Sequence, residues 1–420
     1  MALLRARQIL ANLSRHLGLS RRPDAAVGAA LGSLHDARIL SLDGIRGLAI
    51  LMVVIGHASE PGVAINSFFK VPFSLCWTGV ELFFVLSGFL ITTLLFERVG
   101  QVDYFSQFYA RRILRIVPLF YVLLILLVFV TPLVIPDLEV QEMAIGWQHR
   151  VPWYFAFLSN ILALRLGDFP LDPLAVSWSL SVEEQFYLVW PMVVLLLRRS
   201  GRPMLVLLGL LGAAATLRMA LLHLGWGDHA IYVFTPTRMD PLIIGSMLAV
   251  LRLQGYFTES AGEVAKVLAL TVLGVILLTA AFTGVFPDFS QHQPLFLALR
   301  QLLYYPVIST LFGALLVWGV VAPSSWWSVW LQRPWLMTLG TWSYGIYLTH
   351  NFINHAVEYL GLTYGWLGYT LLGQGLHYLC TLSISILVGA GCYYLVERPC
   401  LRLRAYLRKP SAARSSSLPV

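Results

Sequence analysis

The stretch LDGIRGLAILMVVIGHA, residues 42–58, decides the fold because it has the composition of a membrane helix yet carries ionisable side chains. Its central residues are apolar, and an apolar run of about 20 residues predicts a helix that spans a bilayer. Asp43 and Arg46 lie near its start and His57 near its end. Ionisable groups are costly in lipid and usually face a cavity or a site. The stretch therefore predicts a spanning helix that also carries functional groups.

The composition of the whole chain is typical of a membrane protein. The sequence has 420 residues, of which 58% are hydrophobic and 12% charged, and its mean hydropathy is +0.74. A soluble domain carries about 25% charged residues. Helices satisfy their own backbone hydrogen bonds in lipid, so the long apolar runs predict an all-α polytopic membrane protein. The four cysteines show no spacing typical of a disulfide framework or a metal site, and no metal is expected.

Apolar runs predict about ten transmembrane helices around a polar central cavity. They cover roughly residues 39–58, 74–96, 113–135, 174–197, 203–223, 232–251, 264–286, 300–322, 335–358 and 367–396. A further segment, 151–166, is shorter and polar in its middle. Counting it as a span would invert every later loop, so we interpret it as a re-entrant or interfacial segment.

The basic residues predict the topology. The net charge of +8 comes from Arg- and Lys-rich segments beside the predicted spans, a pattern typical of cytoplasmic loops rather than of nucleic-acid binding. We therefore expect both termini in the cytoplasm. Three parts are predicted: a basic cytoplasmic tail over 1–38, a membrane domain over 39–399, and a basic, disordered cytoplasmic tail over 400–420.

The predicted topology separates cations at one end of the bundle from a histidine deeper in it. Arg46 lies near the cytoplasmic face, and His57 follows 11 residues later, about 16 Å along the helix. Arg112 and Arg115 lie at the cytoplasmic end of the third span, three residues apart and so on one helix face. With Arg46 they are expected to form a basic mouth, although snorkelling topology signals are an alternative explanation.

Several other polar residues are predicted within the spans, and each has a structural alternative. Glu183 and Glu184 are adjacent and point about 100° apart, so one of them is expected to lie away from the site. Arg238 and Asp240 are candidates that are close enough to pair with each other, and a lone histidine is often a helix-to-helix hydrogen bonder. The cavity candidates beyond the main site are Asp43, Glu81, Ser87, Glu183, Arg238 and His350.

Seven motifs in series resemble one family, the membrane acyltransferase-3 family, which includes O-acetylases of bacterial polysaccharides, Nod factors and macrolides. Each motif alone is weak, and the series from residue 41 to residue 399 is specific. The motifs are LDGIRGLAILMVVIGHA, GVELFFVLSGFLIT (79–92), FYARRILRIVPLFY (108–121), VSWSLSVEEQFYLVWP (176–191), TRMDPLIIGSMLA (237–249), LGTWSYGIYLTH (339–350) and YYLVERP (393–399).

The resemblance implies an integral membrane O-acyltransferase of a bacterial inner membrane. It implies acyl-CoA, with acetyl favoured, as a cytoplasmic co-substrate, and an acceptor hydroxyl on a carbohydrate or glycolipid such as a cell-surface or exported glycan. The family's Arg-to-His pattern falls on Arg46 and His57, and its paired arginines on Arg112 and Arg115. The family also has fused forms with an extracytoplasmic hydrolase-like domain, and this sequence is expected to be the short form. No bound cofactor is expected.

A mechanism follows as a hypothesis from these residues. His57 is expected to be the general base, because the reference pKa of histidine lies near working pH. Glu184 or Asp240 is expected to orient its other ring nitrogen, and the sequence does not choose between them. Arg46, Arg112 and Arg115 are expected to bind the phosphates of the donor, since guanidinium groups bind phosphate in bidentate fashion. Direct transfer and a covalent acyl-histidine both remain open.

Two other classes of function are compatible with charged residues inside a helical bundle. A proton-coupled transporter or exporter needs similar buried groups, although the sequence shows no inverted repeat. A non-catalytic partner in glycan export would need no acyl-CoA. The motif series favours the enzyme over both. The identity of the acceptor and the oligomeric state are left open by the sequence.

Overall fold

A computed structural model describes residues 39–59, 76–130, 149–169, 174–285, 300–366 and 370–403, and all regular structure in these ranges is helical. The predicted tails, 1–38 and most of 400–420, lie outside the described residues. The helices are α1 Leu40–His57, α2 Gly79–Arg98, α3 Tyr104–Ile125, α4 Ser159–Leu166, α5 Trp178–Ser200, α6 Pro203–His223, α7 Asp228–Val233, α8 Asp240–Leu253, α9 Glu259–Val285, α10 Tyr305–Val321, α11 Trp326–Leu331, α12 Pro334–Thr363, α13 Leu371–Cys392 and α14 Arg398–Arg402.

Seven helical stretches in the described ranges are long and apolar enough to cross a membrane, so the chain is a multi-pass membrane protein. Each corresponds to a predicted span. They are Leu40–His57, Cys76–Arg98, Tyr104–Phe129, Ala175–Ser200, Pro203–His223, Leu302–Val321 and Leu371–Arg402. The third begins nine residues before its predicted start at 113, because the polar segment YFSQFYARR continues the same helix.

The three other predicted spans are helices that differ from a simple apolar span. The span predicted over 232–251 is wrong in its first half, because Pro236 and Pro241 interrupt the chain and α8 has only 14 residues. Helix α12 has 30 residues but carries many polar side chains on its buried face. Helix α9 has 27 residues, and its side chains are described only up to residue 275.

The segment predicted to be re-entrant or interfacial is a broken helix. Residues 149–155 and 159–166 are helical, and the chain turns between them at Phe157, whose φ is +52°. Neither piece has the length that a span requires. The flanking helices α3 and α5 are antiparallel, because Tyr104 contacts Pro191 and Tyr109 contacts Leu188. The segment therefore starts and ends at the same end of the bundle, and its relation to the bilayer stays a prediction.

Two close helix pairs form the centre of the bundle, α1 with α12 and α2 with α8. Helices α1 and α12 are parallel, because Gly340 packs on Asp43 at one end and His350 on His57 at the other. A Cβ atom at Gly340 would overlap the backbone oxygen of Asp43, and one at Gly47 would overlap that of Leu336. Small residues let helix backbones approach closely in membranes. These glycines therefore set the distance between the two helices that carry the histidines.

Candidate active site

Arg46 and His57 lie on the same face of α1. His57 follows Arg46 by 11 positions, which is just over three helical turns, so their side chains project in nearly the same direction, about 16 Å apart along the axis. Both side chains are half-buried. Helix α1 therefore presents a cation at one end of the bundle and an imidazole at the other, both facing neighbouring helices.

A cavity of about 100 Å³ lies at the Arg46 end of this face. It is enclosed by α1, α2, α3, α5 and α12. Its polar walls are made of Arg46, Ser87, Arg112, Arg115, Ser179, Glu183, Tyr187, Ser343, Tyr344 and Tyr347. His57 is not among the lining residues, and on α12 the lining ends at Tyr347, one turn before His350. The cavity and the histidines are therefore neighbours along α12.

Three arginines from two helices converge on the cavity, as the sequence predicts. Arg46 donates to Asp43 Oδ1 at 3.0 Å and lies within electrostatic range of Arg112 and Arg115. The guanidinium of Arg112 lies 4.8 Å from the ring centre of Tyr187. Like charges held together in a partly buried space repel each other, and a nearby anion or carboxylate offsets this repulsion. The arrangement is suited to a multiply charged anion.

Glu183, rather than Glu184, lines the cavity. Ser87 donates a 2.6 Å hydrogen bond to Glu183 Oε1, and the carboxylate interacts with both Arg112 and Tyr187. Glu184 projects to another side of α5, and its buried Oε1 has no hydrogen-bond partner among the described residues. The sequence predicts that one of the two lies away from the site, and it names Glu184, as an alternative to Asp240, as the carboxylate that orients His57. The positions of the two side chains favour Glu183 instead.

His57 and His350 form a pair of imidazoles at the other end. Their ring centroids are 4.8 Å apart and their planes are inclined by 75°. His57 Nδ1 lies 2.9 Å from the backbone oxygen of Val53, and His350 Nδ1 lies 2.7 Å from that of Tyr347. A carbonyl can only accept, so each Nδ1 is the protonated nitrogen and each Nε2 carries the lone pair. The carbonyl of Val53 thus has the orienting position that Glu184 or Asp240 was expected to fill.

A second polar layer lies behind His57. Asn354 donates to the backbone oxygen of His57 at 3.2 Å, and its own Oδ1 lies 3.0 Å from His377 Nε2. Between this layer and the cavity, the phenol of Tyr347 donates to Val176 O and lies 2.6 Å from Ser179 Oγ. Asn354 and His377 were not predicted from the sequence. Polar side chains in apolar helices were a signal for both, but the packing of α12 on α1 brings Asn354 to His57, and the packing of α13 on α12 brings His377 to Asn354.

Two buried ion pairs account for four more ionisable residues. Arg238 binds Glu81, and Arg218 binds Asp240 Oδ2 at 2.5 Å. The ring centre of Tyr232 lies 4.4 Å from the guanidinium of Arg238. The alternative in which Arg238 and Asp240 pair with each other is wrong, because their side chains reach different helices. Arg218 was missed, although an arginine inside the apolar helix α6 marks a buried partner.

These features define a class of protein. The helical bundle holds three guanidinium groups at a cavity, and α1 carries an unprotonated imidazole nitrogen further along its length. Group transfer from a phosphate-bearing donor needs these two kinds of side chain. A family model described as an acyltransferase domain matches residues 39–394. The chain therefore belongs to the membrane acyltransferase-3 family of enzymes, whose members include O-acetyltransferases, as the motif series predicts.

Curated relatives share the membrane region. A peptidoglycan O-acetyltransferase of Listeria monocytogenes is 32% identical over 327 residues, which are 74% of this chain and 48% of that protein. An O-acetyltransferase of Staphylococcus aureus is 28% identical over 329 residues, 76% of this chain and 51% of that protein. The chain thus spans about half the length of the curated relatives it matches. No solved structure matches it.

Proposed function

We propose that this chain transfers an acetyl group from acetyl-CoA to a hydroxyl of a cell-surface or exported glycan. The observation that carries the proposal is the single face of α1 with Arg46 at the cavity and His57 three turns further. The curated relatives are O-acetyltransferases, and one of them acts on peptidoglycan, which supports acetyl as the transferred group and a glycan as the acceptor class.

The donor binds through its phosphates to the arginines of the cavity. Charge-assisted hydrogen bonds from guanidinium groups to phosphate are strong and bidentate, and Arg46, Arg112 and Arg115 supply three such groups. Asp43 accepts a hydrogen bond from Arg46, and Glu184 and Glu183 both lie within electrostatic range of Arg112. The long pantetheine arm then extends along α1 and brings the thioester to His57. The positive-inside pattern of the loops supports a cytoplasmic location for the arginine end and for both termini.

His57 activates the acceptor. Its Nδ1 hydrogen faces Val53 O, so Nε2 carries the lone pair that accepts a proton. The hydroxyl proton moves to Nε2 as the hydroxyl oxygen attacks the thioester carbon. The tetrahedral intermediate then collapses and the C–S bond breaks. The departing thiolate takes the proton from His57, which leaves free CoA, the acetyl ester and a neutral imidazole.

The proposal is tested with bacterial membranes that contain this chain and with matched membranes that lack it. Both receive radiolabelled acetyl-CoA and an extract of surface glycans. We expect alkali-labile label in the glycan fraction and an equal amount of released CoA, only where the chain is present. Folded protein that gives neither label nor CoA release would contradict the proposal. Label that stays on the protein when acceptor is omitted would establish a two-step route through a covalent intermediate instead of direct transfer.

A further inference from the structure

His350 lies against the proposed base and has no role in the proposed chemistry so far. Its ring centroid is 4.8 Å from that of His57, and its side chain is fully buried, with a relative exposure of 0%. It projects from α12, which packs on α1 through Gly340 and Asp43 at one end and through the hydrogen bond from Asn354 to His57 O near the histidines. The position of the ring is therefore fixed by the packing of the two helices and not by a mobile loop.

The hydrogen bonds of His350 leave one nitrogen unused. Its Nδ1 donates to Tyr347 O at 2.7 Å, so Nε2 is the unprotonated acceptor. This Nε2 is buried and has no hydrogen-bond partner among the described residues. Buried polar atoms without a partner are few in native proteins, because each one costs free energy. A leucine would fill this place without that cost, so the imidazole is retained for a property other than packing.

We propose that His350 is a positioning residue that stabilises the protonated form of His57 during acyl transfer. The inference rests on the proposed function, in which His57 becomes an imidazolium when it takes the acceptor proton. In a Ser-His-Asp site a buried carboxylate stabilises that cation. Here the carbonyl of Val53 orients the ring, and the neutral imidazole of His350 lies edge-to-face with it and places a polarisable, uncharged ring beside the charge.

His350 stays neutral through the cycle. Two imidazolium ions with centroids 4.8 Å apart in a low-dielectric interior would repel each other strongly, so the pair holds one added proton and not two. That proton comes from the acceptor hydroxyl to His57 and leaves on the thiolate of CoA. His350 gains and loses no bond, and its effect is confined to the steps in which His57 is charged.

The test compares His350→Leu and His350→Gln with His355→Gln as the matched control. His355 lies on the same helix, but its side chain is exposed. Purified proteins are assayed for kcat with saturating glycan, for the KM of acetyl-CoA and for thermal unfolding. We expect kcat to fall about 100-fold in His350→Leu, the low end for a group that assists proton transfer. We expect a smaller fall in His350→Gln, which keeps a polar atom at the Nε2 position.

The KM and the thermal stability separate a positioning role of His350 from a merely structural one. If His350 acts through His57, the KM of acetyl-CoA stays within about twofold, because the donor is held at the arginines. His350→Leu is then also at least as thermally stable as the wild type. His355→Gln behaves as the wild type in all three assays. A kcat within about threefold of the wild type in His350→Leu overturns the proposal. A loss of folded protein that is large enough to explain the fall in apparent kcat overturns it as well. If His350→Leu does not accumulate, an unchanged kcat in His350→Gln overturns it.

The outcome is separable from that of the proposed function. A wild type that forms no ester refutes the proposed function before any variant is compared. An active wild type with an inactive His57→Ala form supports the proposed function, and the His350 variants then decide the inference. Retained activity in His57→Ala together with lost activity in His350→Leu would assign the base to His350 and overturn the positioning role.

Discussion

Arg46 and His57 lie on one face of α1, three turns apart, and each meets a different set of partners. Arg46 joins Arg112 and Arg115 at the cavity, whereas His57 meets His350 and Asn354. A single helix therefore fixes the distance between Arg46, which suits anion binding, and His57, which suits proton transfer. Mutations at the two ends are expected to change different kinetic parameters.

Arg112→Lys and Arg115→Lys are expected to weaken donor binding with little change in kcat. Lysine keeps the charge but loses the planar fork that binds phosphate in bidentate fashion. Loss of charge-assisted hydrogen bonds worth about 1.5 to 3 kcal/mol raises the KM of acetyl-CoA roughly 10- to 100-fold. The measurement is steady-state kinetics with varied acetyl-CoA. Arg202→Lys, at an exposed position, is the control and should match the wild type. An unchanged KM in both cavity variants would mean that these arginines serve topology alone.

Glu183→Gln is expected to reduce activity more than Glu184→Gln. Glu183 lines the cavity, accepts from Ser87 and lies within electrostatic range of Arg112, so Glu183→Gln removes a negative charge from the cavity wall beside a donor-binding arginine. We expect roughly a tenfold lower kcat/KM for acetyl-CoA, the size of one lost hydrogen bond to a charged group. Glu184→Gln is the matched comparison, since Glu184 also lies within electrostatic range of Arg112 but does not line the cavity. A larger loss in Glu184→Gln would restore Glu184 as the functional carboxylate.

Asp240→Asn is expected to lower stability and to leave the kcat of the folded protein unchanged. Its partner Arg218 would then be a buried, unpaired cation, and breaking such a pair costs about 3 to 5 kcal/mol. Thermal unfolding in detergent and activity per folded molecule measure the two effects separately. Lys266→Ala removes the exposed pair with Glu263 and should cost less than about 1 kcal/mol. A stable Asp240→Asn protein with a much lower kcat would show that Asp240 belongs to the catalytic site.

Gly340→Ala is expected to impair both stability and turnover. A Cβ atom there would overlap the backbone oxygen of Asp43, so α1 and α12 must separate, and with them His57 and His350. Overpacking of this kind costs about 1 to 3 kcal/mol. Gly212→Ala is the control, because a Cβ atom at Gly212 would meet no described atom within 4 Å, and it should be neutral or mildly stabilising. Wild-type kinetics in Gly340→Ala would mean that the helix spacing does not matter for catalysis.

The sequence predicts the helices well because the length of an apolar run can be read from the local sequence alone. Helix α6 agrees with its predicted bounds at both ends. The convergence of Arg46, Arg112 and Arg115 was also predictable, since the direction of each span follows from the distribution of basic loops. The partners of Glu81, Asp240 and His57 were not, because each depends on which helices pack together. The break before α8 was visible as prolines at 236 and 241, which outweigh the apolar run around them.

One comparison of two proteins decides whether His57 is the base. Membranes with equal amounts of wild type or His57→Ala receive radiolabelled acetyl-CoA and the glycan extract, and alkali-labile label in the glycan is followed with time. We predict that the variant forms ester at least 100-fold more slowly while still binding acetyl-CoA, since the arginines are intact. Ester formation by His57→Ala at a rate close to that of the wild type would show that His57 is not the base.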